Sequence, residues 1–331
     1  MIIESRAYAR AGLLGNPSDG YNGRTISIIV RNFGAHVSLY ESPELRIEPQ
    51  PQDMHIYRNI FDLVDSINMH GYYGADRLIK AAVKKIFEYC HEHDIRLENK
   101  NFTIRYHSTI PRQVGLAGSS AIITATMKAL IQFYGIKVQK EILPSLILAT
   151  EKEELGINAG LQDRVIQVYE GCVYMDFDKN IMGKKGHGQY DNLKPENLPN
   201  LYLAYKTELS KVSGIVLNDI RVRYEKNDPE VVQSLQRIAD IAKEGREVIN
   251  EKKYALLNKL INENFDLRCK IMQISDDNME MVKIARSCGA SAKFAGSGGS
   301  IIGIYRDDEM LNRLKNSLKE VKARVIRPFI S

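Results

Sequence analysis

A glycine- and serine-rich loop lies between a strand-like run and an apolar helical pattern, and it constrains this chain more than any other feature. The loop covers residues 111–121 and reads Pro-Arg-Gln-Val-Gly-Leu-Ala-Gly-Ser-Ser-Ala. Small residues let a backbone approach an anion closely, and the first amides of a helix are unpaired donors at the positive end of its dipole. The loop therefore predicts a phosphate site, although a capped strand-to-helix turn with nothing bound has the same composition.

Two serines in this loop have predicted roles. Ser119 is a candidate cap for the following helix, and the Ser120 hydroxyl is a candidate ligand of Mg²⁺. The loop is not a Walker loop, because no Lys-Ser or Lys-Thr pair follows the glycines. It does not match the dinucleotide-binding fingerprint either.

Charge and cysteine content exclude several other classes of protein. A formal net charge of +5 over 331 residues suits acidic small molecules such as nucleotides. The pairs Lys84–Lys85 and Lys184–Lys185 are too short to form the basic stripe of a nucleic-acid binder. The four cysteines are far apart and form no C-x-x-C pair, so reduced thiols are expected.

Hydrophobic patterns predict a β-rich beginning and a helical second half. Three short strands are expected at Ala7–Leu14, Thr25–Asn32 and His36–Tyr40, and a fourth at Phe102–Ser108. Apolar residues three and four apart predict amphipathic helices around Ile60–Ile67, Leu78–Tyr89, Ile122–Ile131, Val231–Ile238, Leu256–Ile261 and Met281–Ala285. A hairpin is predicted around Gly296–Gly299, and the polar stretch Asp178–Pro199 is expected to be a surface excursion or a domain junction.

The loop resembles the second motif of the GHMP kinases, which include galactokinase, homoserine kinase and mevalonate kinase. Residues of this chain that match the motif are Pro111, Gly115, Leu116, Gly118, Ser119, Ser120 and Ala121, with Ala117 between them. Residues 9–19 resemble the first motif, which lines the substrate pocket. Residues 293–300, with Gly296, Ser297 and Gly298, resemble the third, a turn beside the nucleotide phosphates.

This resemblance implies a fold and a cofactor set. The expected fold is α+β in two lobes, with a GHMP kinase N-terminal domain at residues 1–195 and a C-terminal domain at residues 196–331. The N-terminal lobe of the family is similar to the second domain of a small-subunit ribosomal protein, and the C-terminal lobe is ferredoxin-like. ATP and Mg²⁺ are the implied cofactors.

Catalytic residues are carried over onto matching positions. The Gly-x-x-Asp element at Gly160 makes Asp163 the candidate base, although an aspartate in the first turn of a helix is also favoured by the helix dipole alone. Arg10 matches a basic residue near the reacting centre. The family places a magnesium-binding glutamate ahead of this element, which Glu151 fits best, with Glu153 left as an alternative.

Several stretches resemble the glucuronokinases of plants, a subgroup of the family, and imply D-glucuronate as the acceptor. They include residues 14–19, 71–74, 110–113, 159–165 and 264–268. Candidates for the sugar hydroxyls are Asn16, Ser18, Asp19 and Tyr21. A carboxylate calls for an arginine, and Arg24, Arg112 and Arg164 are available, of which Arg164 is included among the substrate residues.

Alternative functions stay open at this point. A heptose or galactose type of sugar kinase is the nearest, and a catalytically silent sensor of nucleotides or sugars is the other. No apolar stretch of about 18 residues and no charged-then-apolar leader is found, so a cytoplasmic enzyme without a membrane partner is expected. A sugar or sugar acid is the expected substrate, and a monomer or homodimer the expected assembly.

Overall fold

Ten helices and ten strands make up most of the described chain. The computed structural model describes residues 2–48, 76–208 and 214–331, without the side chains of 214–219. The strands are β1 (Ile2–Leu14), β2 (Arg24–Glu41), β3 (Arg46–Glu48), β4 (Phe102–Ser108), β5 (Cys172–Asp176), β6 (Gln189–Leu193), β7 (Leu201–Lys206), β8 (Lys293–Phe294), β9 (Ser300–Ile304) and β10 (Ala323–Ile326). The helices are α1 (Asp76–Glu92), α2 (Gly118–Tyr134), α3 (Leu143–Ala149), α4 (Gln162–Tyr169), α5 (Lys179–Lys185), α6 (Gly214–Glu225), α7 (Pro229–Asn250), α8 (Tyr254–Ile271), α9 (Asp276–Ser287) and α10 (Asp308–Glu320). The predicted helix around Ile60–Ile67 and the run at residues 71–74 lie outside the described residues.

The chain forms two compact units that interleave in sequence. The first unit contains Met1–Tyr8, Phe33–Ile110 and Gly118–Ala159. The second contains Ala9–Asn32, Pro111–Ala117 and Gly160–Ser331. Helices and strands occur together in both units, as the α+β prediction requires.

In the first unit, β4 pairs with the second half of β2 and with β3. The β2–β4 ladder is antiparallel and runs from Ala35↔Ser108 to Glu41↔Phe102. Two separate strands, Thr25–Asn32 and His36–Tyr40, were predicted where the structure has β2, and that prediction is wrong. Gly34 donates its N–H to the Thr109 hydroxyl and accepts from the Thr109 N–H, so it extends the ladder instead of turning the chain. The predicted helix over residues 78–89 is confirmed in α1.

The second unit contains an antiparallel sheet in the order β10-β7-β9-β8. Helices α8, α9 and α10 contribute Phe265, Met281 and Leu314 to the buried cluster that also contains Tyr202 from β7. The predicted hairpin is confirmed, because β8 and β9 pair across Gly296–Gly299 with Lys293 opposite Ile302. This pairing fixes the position of the glycine-rich turn.

Two other local predictions are corrected. The polar stretch 178–199 is not simply an excursion, because it contains α5 and then β6, which pairs antiparallel with β5 from Cys172↔Leu193 to Asp176↔Gln189. Helix α2 begins at Gly118, so Ser119 lies in its first turn and not at the capping position. No helix in the described parts of the chain is long and apolar enough to cross a membrane.

Candidate active site

An arginine–aspartate pair in the second unit forms the centre of the candidate site. Arg10 on β1 donates from Nε to Asp163 Oδ1 at 2.6 Å and from Nη2 to Asp163 Oδ2 at 2.8 Å. The pair is therefore bidentate, which is the strongest geometry for a guanidinium and a carboxylate. The Arg10 side chain is 7% exposed and that of Asp163 is 19% exposed, so the carboxylate keeps some access to solvent.

The remaining donor group of Arg10 ties both glycine-rich elements to this pair. Its Nη1 donates to the carbonyl of Gly115 at 2.6 Å and to the carbonyl of Ala295 at 3.0 Å. Beside it, the Gly12 N–H donates to the Ala295 carbonyl at 2.7 Å. The three motifs predicted from sequence therefore meet at one arginine.

Backbone contact explains why two of the glycines are required. Gly115 has a φ of 69°, and a Cβ there would lie 2.8 Å from the Gly298 carbonyl oxygen. A Cβ on Gly296 would lie 2.0 Å from the Gly115 carbonyl oxygen. The Ser300 hydroxyl closes the contact by donating to the Val114 carbonyl at 2.6 Å. No side chain larger than hydrogen fits at either glycine without displacing backbone.

Asp163 lies in the first turn of α4, next to a second carboxyl. The Gln162 N–H donates to Asp19 Oδ2 at 3.3 Å, and a Cβ on Gly160 would lie 2.0 Å from that same oxygen. The glycine of the Gly-x-x-Asp element thus makes room for Asp19. The sequence grouped Asp19 with the substrate residues and Asp163 with the catalytic ones, and the structure places the two side by side.

The two carboxyls have pKa values shifted in opposite directions. Burial raises the pKa of Asp163, but the charge and hydrogen bonds of Arg10 outweigh it, so that pKa lies below its ordinary value and the group is ionised at neutral pH. Burial and the neighbouring charge of Asp163 raise the pKa of Asp19 to about 6. Neighbouring acids with pKa values pushed apart are a frequent feature of catalytic sites.

Lys293 and Asn16 form a buried polar pair beside the site. Lys293 is 1% exposed and donates to the carbonyls of Gly12 at 2.7 Å and Phe294 at 2.9 Å, and to the side-chain oxygen of Asn16. Burial and the charges of two arginines lower the pKa of Lys293. Three oxygen acceptors nevertheless require three N–H donors, so this geometry is that of the ammonium form.

The other predicted sugar residues have mixed surroundings. The Ser18 hydroxyl is buried and donates to the Arg24 carbonyl at 2.9 Å. The Tyr21 ring packs against Tyr224 with centroids 4.8 Å apart, and burial raises its pKa to about 12. Arg164 is 4% exposed and donates to the Gly160 carbonyl at 2.8 Å. Within this set, Asp19 and Arg164 are the residues that lie next to Asp163, with Arg164 Nη1 3.5 Å from Asp163 Oδ2.

In the first unit, the start of α2 and one glutamate match the predicted phosphate and metal residues. Ala117 precedes the helix with a φ of 61°, a left-handed conformation that an alanine adopts at some cost in energy. Ser120 in the first turn is 1% exposed, as is Glu151 in the short π-helical segment Thr150–Glu154 that follows α3. The Glu153 side chain is 64% exposed and pairs with Lys85, so burial distinguishes Glu151 from the alternative. Among the residues the structure describes, no cluster of three or more His, Cys, Asp or Glu converges on a metal-sized space.

Sequence reasoning missed two buried residues of this site. Gln162 is 3% exposed, and its side-chain oxygen has no hydrogen-bond partner. Arg268 on α8 is 2% exposed and donates to the Gly296 carbonyl at 2.9 Å. Both lie within stretches that carry the resemblance, but a linear pattern does not show that the Gln162 oxygen has no partner or that Arg268 is buried without a carboxylate.

Comparison with known proteins agrees with this assembly of motifs. The family profile described as "GHMP kinases N terminal domain" matches residues 77–171, and "GHMP kinases C terminal" matches residues 246–323. Glucuronokinase 1 of Arabidopsis thaliana is 43% identical over 306 residues, which cover 91% of this chain and 84% of that protein.

Solved structures with low sequence identity share the fold. The galactokinase of Lactococcus lactis, complexed with galactose, superposes with a TM-score of 0.79 at 12% identity, covering 99% of this chain and 93% of that one. The mevalonate kinase of Methanococcus jannaschii has a TM-score of 0.68 at 23% identity, covering 99% and 98%. These likenesses confirm the predicted fold class.

Proposed function

Because this chain belongs to the GHMP kinase family, we propose that it is an ATP-dependent sugar kinase that phosphorylates the anomeric hydroxyl of a sugar acid. D-Glucuronate is the proposed acceptor and glucuronate 1-phosphate the product. The observation that carries the proposal is the bidentate Arg10–Asp163 pair, held between the glycine-rich backbone and Asp19. The identity to a plant glucuronokinase over most of the chain supports the choice of substrate.

Asp163 is the proposed proton acceptor. The acceptor oxygen forms a bond to the γ-phosphorus of ATP while the bond from that phosphorus to the departing ADP oxygen breaks, and the hydroxyl proton passes to the Asp163 carboxylate. Arg10 keeps this carboxylate ionised and oriented, and it places positive charge beside the reacting centre. Most of the rate in such a transfer comes from positioning and charge stabilisation.

The phosphates are proposed to lie against glycine-rich backbone. Residues 111–117 and Gly296, Ser297 and Gly298 supply close-packed backbone, and Gly118 to Ala121 supply the first amides of α2. The residues present fit a nucleotide, because the first amides of α2 are donors without partners inside the helix, which suits a phosphate. Ser120 and Glu151 are the proposed magnesium ligands, an oxygen set that suits this ion. When bound, Mg²⁺ neutralises charge on the β- and γ-phosphates.

The compartment, the assembly, the domain boundary and the sugar-pocket residues of this protein are also proposals. The four cysteines are free, which suits the reducing conditions of a cytoplasm. A monomer or homodimer and a domain boundary near residue 195 are proposed on the sequence alone. The proposed sugar pocket is lined by Asn16, Ser18, Asp19, Tyr21 and Arg164, and Asp19 and Arg164 lie beside Asp163.

The test is an ADP-release assay with a panel of acceptors. Purified protein with ATP and Mg²⁺ is offered D-glucuronate, D-galacturonate, D-glucose, D-galactose and a heptose, and the product is identified by ³¹P NMR. We expect turnover to be fastest with glucuronate and the product to carry phosphate on its anomeric oxygen. A preference for the neutral hexoses or the heptose would replace the sugar acid, and nucleotide binding without ADP release from any acceptor would overturn the kinase.

A further inference from the structure

Arg268 is a buried guanidinium without a carboxylate partner. Its Nη1 donates to the Gly296 carbonyl at 2.9 Å, its Nε lies 3.1 Å from the Met272 sulfur, and its Cζ is 5.2 Å from the centre of the Phe294 ring. No described residue takes a hydrogen bond from Nη2 or forms an ion pair with the side chain. A buried charge is normally paired, because desolvation of an isolated ion is costly.

The charges around Arg268 leave this region positive. Burial lowers the pKa of Arg268 to about 10, so the guanidinium is still charged at neutral pH. The cations that act on one another here are Arg10, Arg268 and Lys293. Two carboxyls lie near these cations. Asp163 is already ion-paired with Arg10, and Asp19 has a pKa of about 6. Arg164 lies 3.5 Å from Asp163, so four cations and two acids leave an excess of positive charge.

A second unpartnered group lies in the same region. The Gln162 side-chain oxygen is buried and accepts no hydrogen bond from any described residue. Its amide nitrogen lies 3.0 Å from the position a Cβ would take on Gly12, and the Asn16 oxygen lies 3.1 Å from the same position. An unsatisfied buried amide costs about 1–3 kcal/mol, so a polar ligand that donates to it would remove that cost. The Arg268 guanidinium and the Gln162 side-chain oxygen are therefore complementary to a ligand that has an anionic group and hydroxyl groups.

The three arginines considered from sequence are less suitable carboxylate partners. Arg24 is paired with Asp176 at 2.7 Å and with Asp240 at 3.6 Å. Arg164 donates to the Gly160 carbonyl and lies 3.5 Å from Asp163, whose charge it already shares. Arg112 is exposed, where water competes for a carboxylate.

We propose that Arg268 binds the carboxylate of the sugar acid, and that the Gln162 amide oxygen accepts one of its hydroxyls. This inference rests on the proposed function and names the residue that makes the site prefer an acid. Nη2 supplies a charged donor within a water-poor region, where such a hydrogen bond is strong. A nucleotide phosphate offers similar chemistry, and the experiment separates the two.

The experiment compares D-glucuronate with D-glucuronamide, which keeps the shape and hydroxyls but has no charge. The variant Arg268→Met keeps the apolar stem over Phe294 and removes the charge. For wild type we expect at least a hundredfold preference for the acid in kcat/KM, and for the variant a preference below about fivefold, with the KM for ATP unchanged. Arg268→Lys restores the charge without the planar fork, and we expect it to recover part of the preference.

Arg286→Met is the matched control. Arg286 also lies over an aromatic ring, 5.4 Å from the centre of Phe265, but it is paired with Asp266 at 2.7 Å. The control should keep the preference of wild type. Equal losses on acid and amide in Arg268→Met would make the residue structural, and a loss confined to the KM for ATP would assign it to a phosphate. Either result overturns the proposal.

Calorimetric titration with glucuronate in the absence of ATP separates this inference from the proposed function. Suppose that wild type binds glucuronate without turnover and that Arg268→Met does not bind it. This outcome would contradict the kinase proposal but not the role of Arg268. A variant that binds glucuronate as tightly as wild type would overturn the role of Arg268 whatever the turnover. Failure of wild type to bind glucuronate would also overturn it.

Discussion

Two buried lysines, one in each unit, differ in the partners that surround their charge. Lys85 on α1 is 9% exposed, and its Nζ lies 2.7 Å from Glu88 and 3.0 Å from both Glu153 and Glu154. Lys293 is 1% exposed and donates only to neutral oxygens. The first cation is balanced within the protein, and the second adds to an excess of positive charge.

The pKa shifts of the two lysines reflect this difference. Burial lowers the pKa of Lys85, but the hydrogen bonds that it donates to three glutamates more than reverse this effect, so the net shift is upward. Burial and the charges of Arg268 and Arg10 lower the pKa of Lys293. A charge compensated internally contributes to the fold, whereas an uncompensated cluster is complementary to a charged ligand.

The largest effect is expected at Asp163, the carboxylate that is paired with Arg10 among the buried cations of the second unit. Asp163→Asn removes the proposed proton acceptor and leaves Arg10 without its ion pair, so we expect kcat to fall at least about a hundredfold, on the order of 3 kcal/mol of barrier. Nucleotide binding, followed by fluorescence titration, should persist. Asp176→Asn, which breaks the 2.7 Å pair with Arg24, is the control and should change kcat far less. Near-normal turnover in the Asp163 variant would remove this residue from its catalytic role.

Two glutamates of the first unit lie within one helical turn but have different proposed roles. Glu153 pairs with Lys85, whereas Glu151 is the proposed magnesium ligand. Glu151 is 1% exposed, whereas Glu153 has a 64% exposed side chain and pairs with Lys85. If Glu151 holds the metal, Glu151→Gln should raise the Mg²⁺ concentration for half-maximal activity about tenfold or more. Glu153→Gln is the matched substitution and should leave this concentration near that of wild type. The reverse pattern would assign the metal to Glu153.

Much of the site could be predicted because its motifs are contiguous in sequence. Arg10, Asp163 and the glycines of the loop each lie in a short motif, and the residue spacing within the motif predicts their role. Arg268 and Gln162 could not be found this way, because their significance depends on partners that are absent, and absence appears only when the chain is folded. The resemblance drew attention to both stretches without indicating which side chain mattered.

The errors in the fold prediction have a similar origin. The gap predicted between the strands Thr25–Asn32 and His36–Tyr40 contains Gly34, but both backbone groups of Gly34 pair with Thr109, so this glycine lies inside a continuous strand. Strand β6 was missed because most of its residues are polar, with Leu193 its one fully buried side chain. Tertiary pairing decides such segments, whereas the hydrophobic patterns of α1 and α2 were sufficient by themselves.

Lys85→Met tests the compensated cluster. Three glutamates would lose their shared cation, so we expect a loss of about 2 kcal/mol in the free energy of unfolding, measured by urea denaturation. The preference for glucuronate over glucuronamide should stay as in wild type, because it is assigned to the other unit. A changed preference with unchanged stability would break the distinction between the two clusters.

Asp19→Asn gives the smallest expected effect and tests the electrostatics of the candidate site through stability. Burial and Asp163 raise the pKa of Asp19 from 3.8 to about 6, so the fold disfavours its ionised form. Below pH 3.8 the carboxyl is protonated in both folded and unfolded chains, and no destabilisation arises. As the pH rises through about 6 the full destabilisation develops, because the unfolded chain ionises more readily.

A neutral asparagine avoids this cost and can still accept the hydrogen bond from the Gln162 N–H. A shift of about two pKa units corresponds to at most about 3 kcal/mol, which partial exposure reduces to about 1 kcal/mol. We therefore expect the variant to be more stable than wild type by about 1 kcal/mol at pH 7, with the difference vanishing near pH 4. Urea unfolding at the two pH values measures it, and an equal difference at both would mean that Asp163 and burial do not destabilise the Asp19 carboxylate.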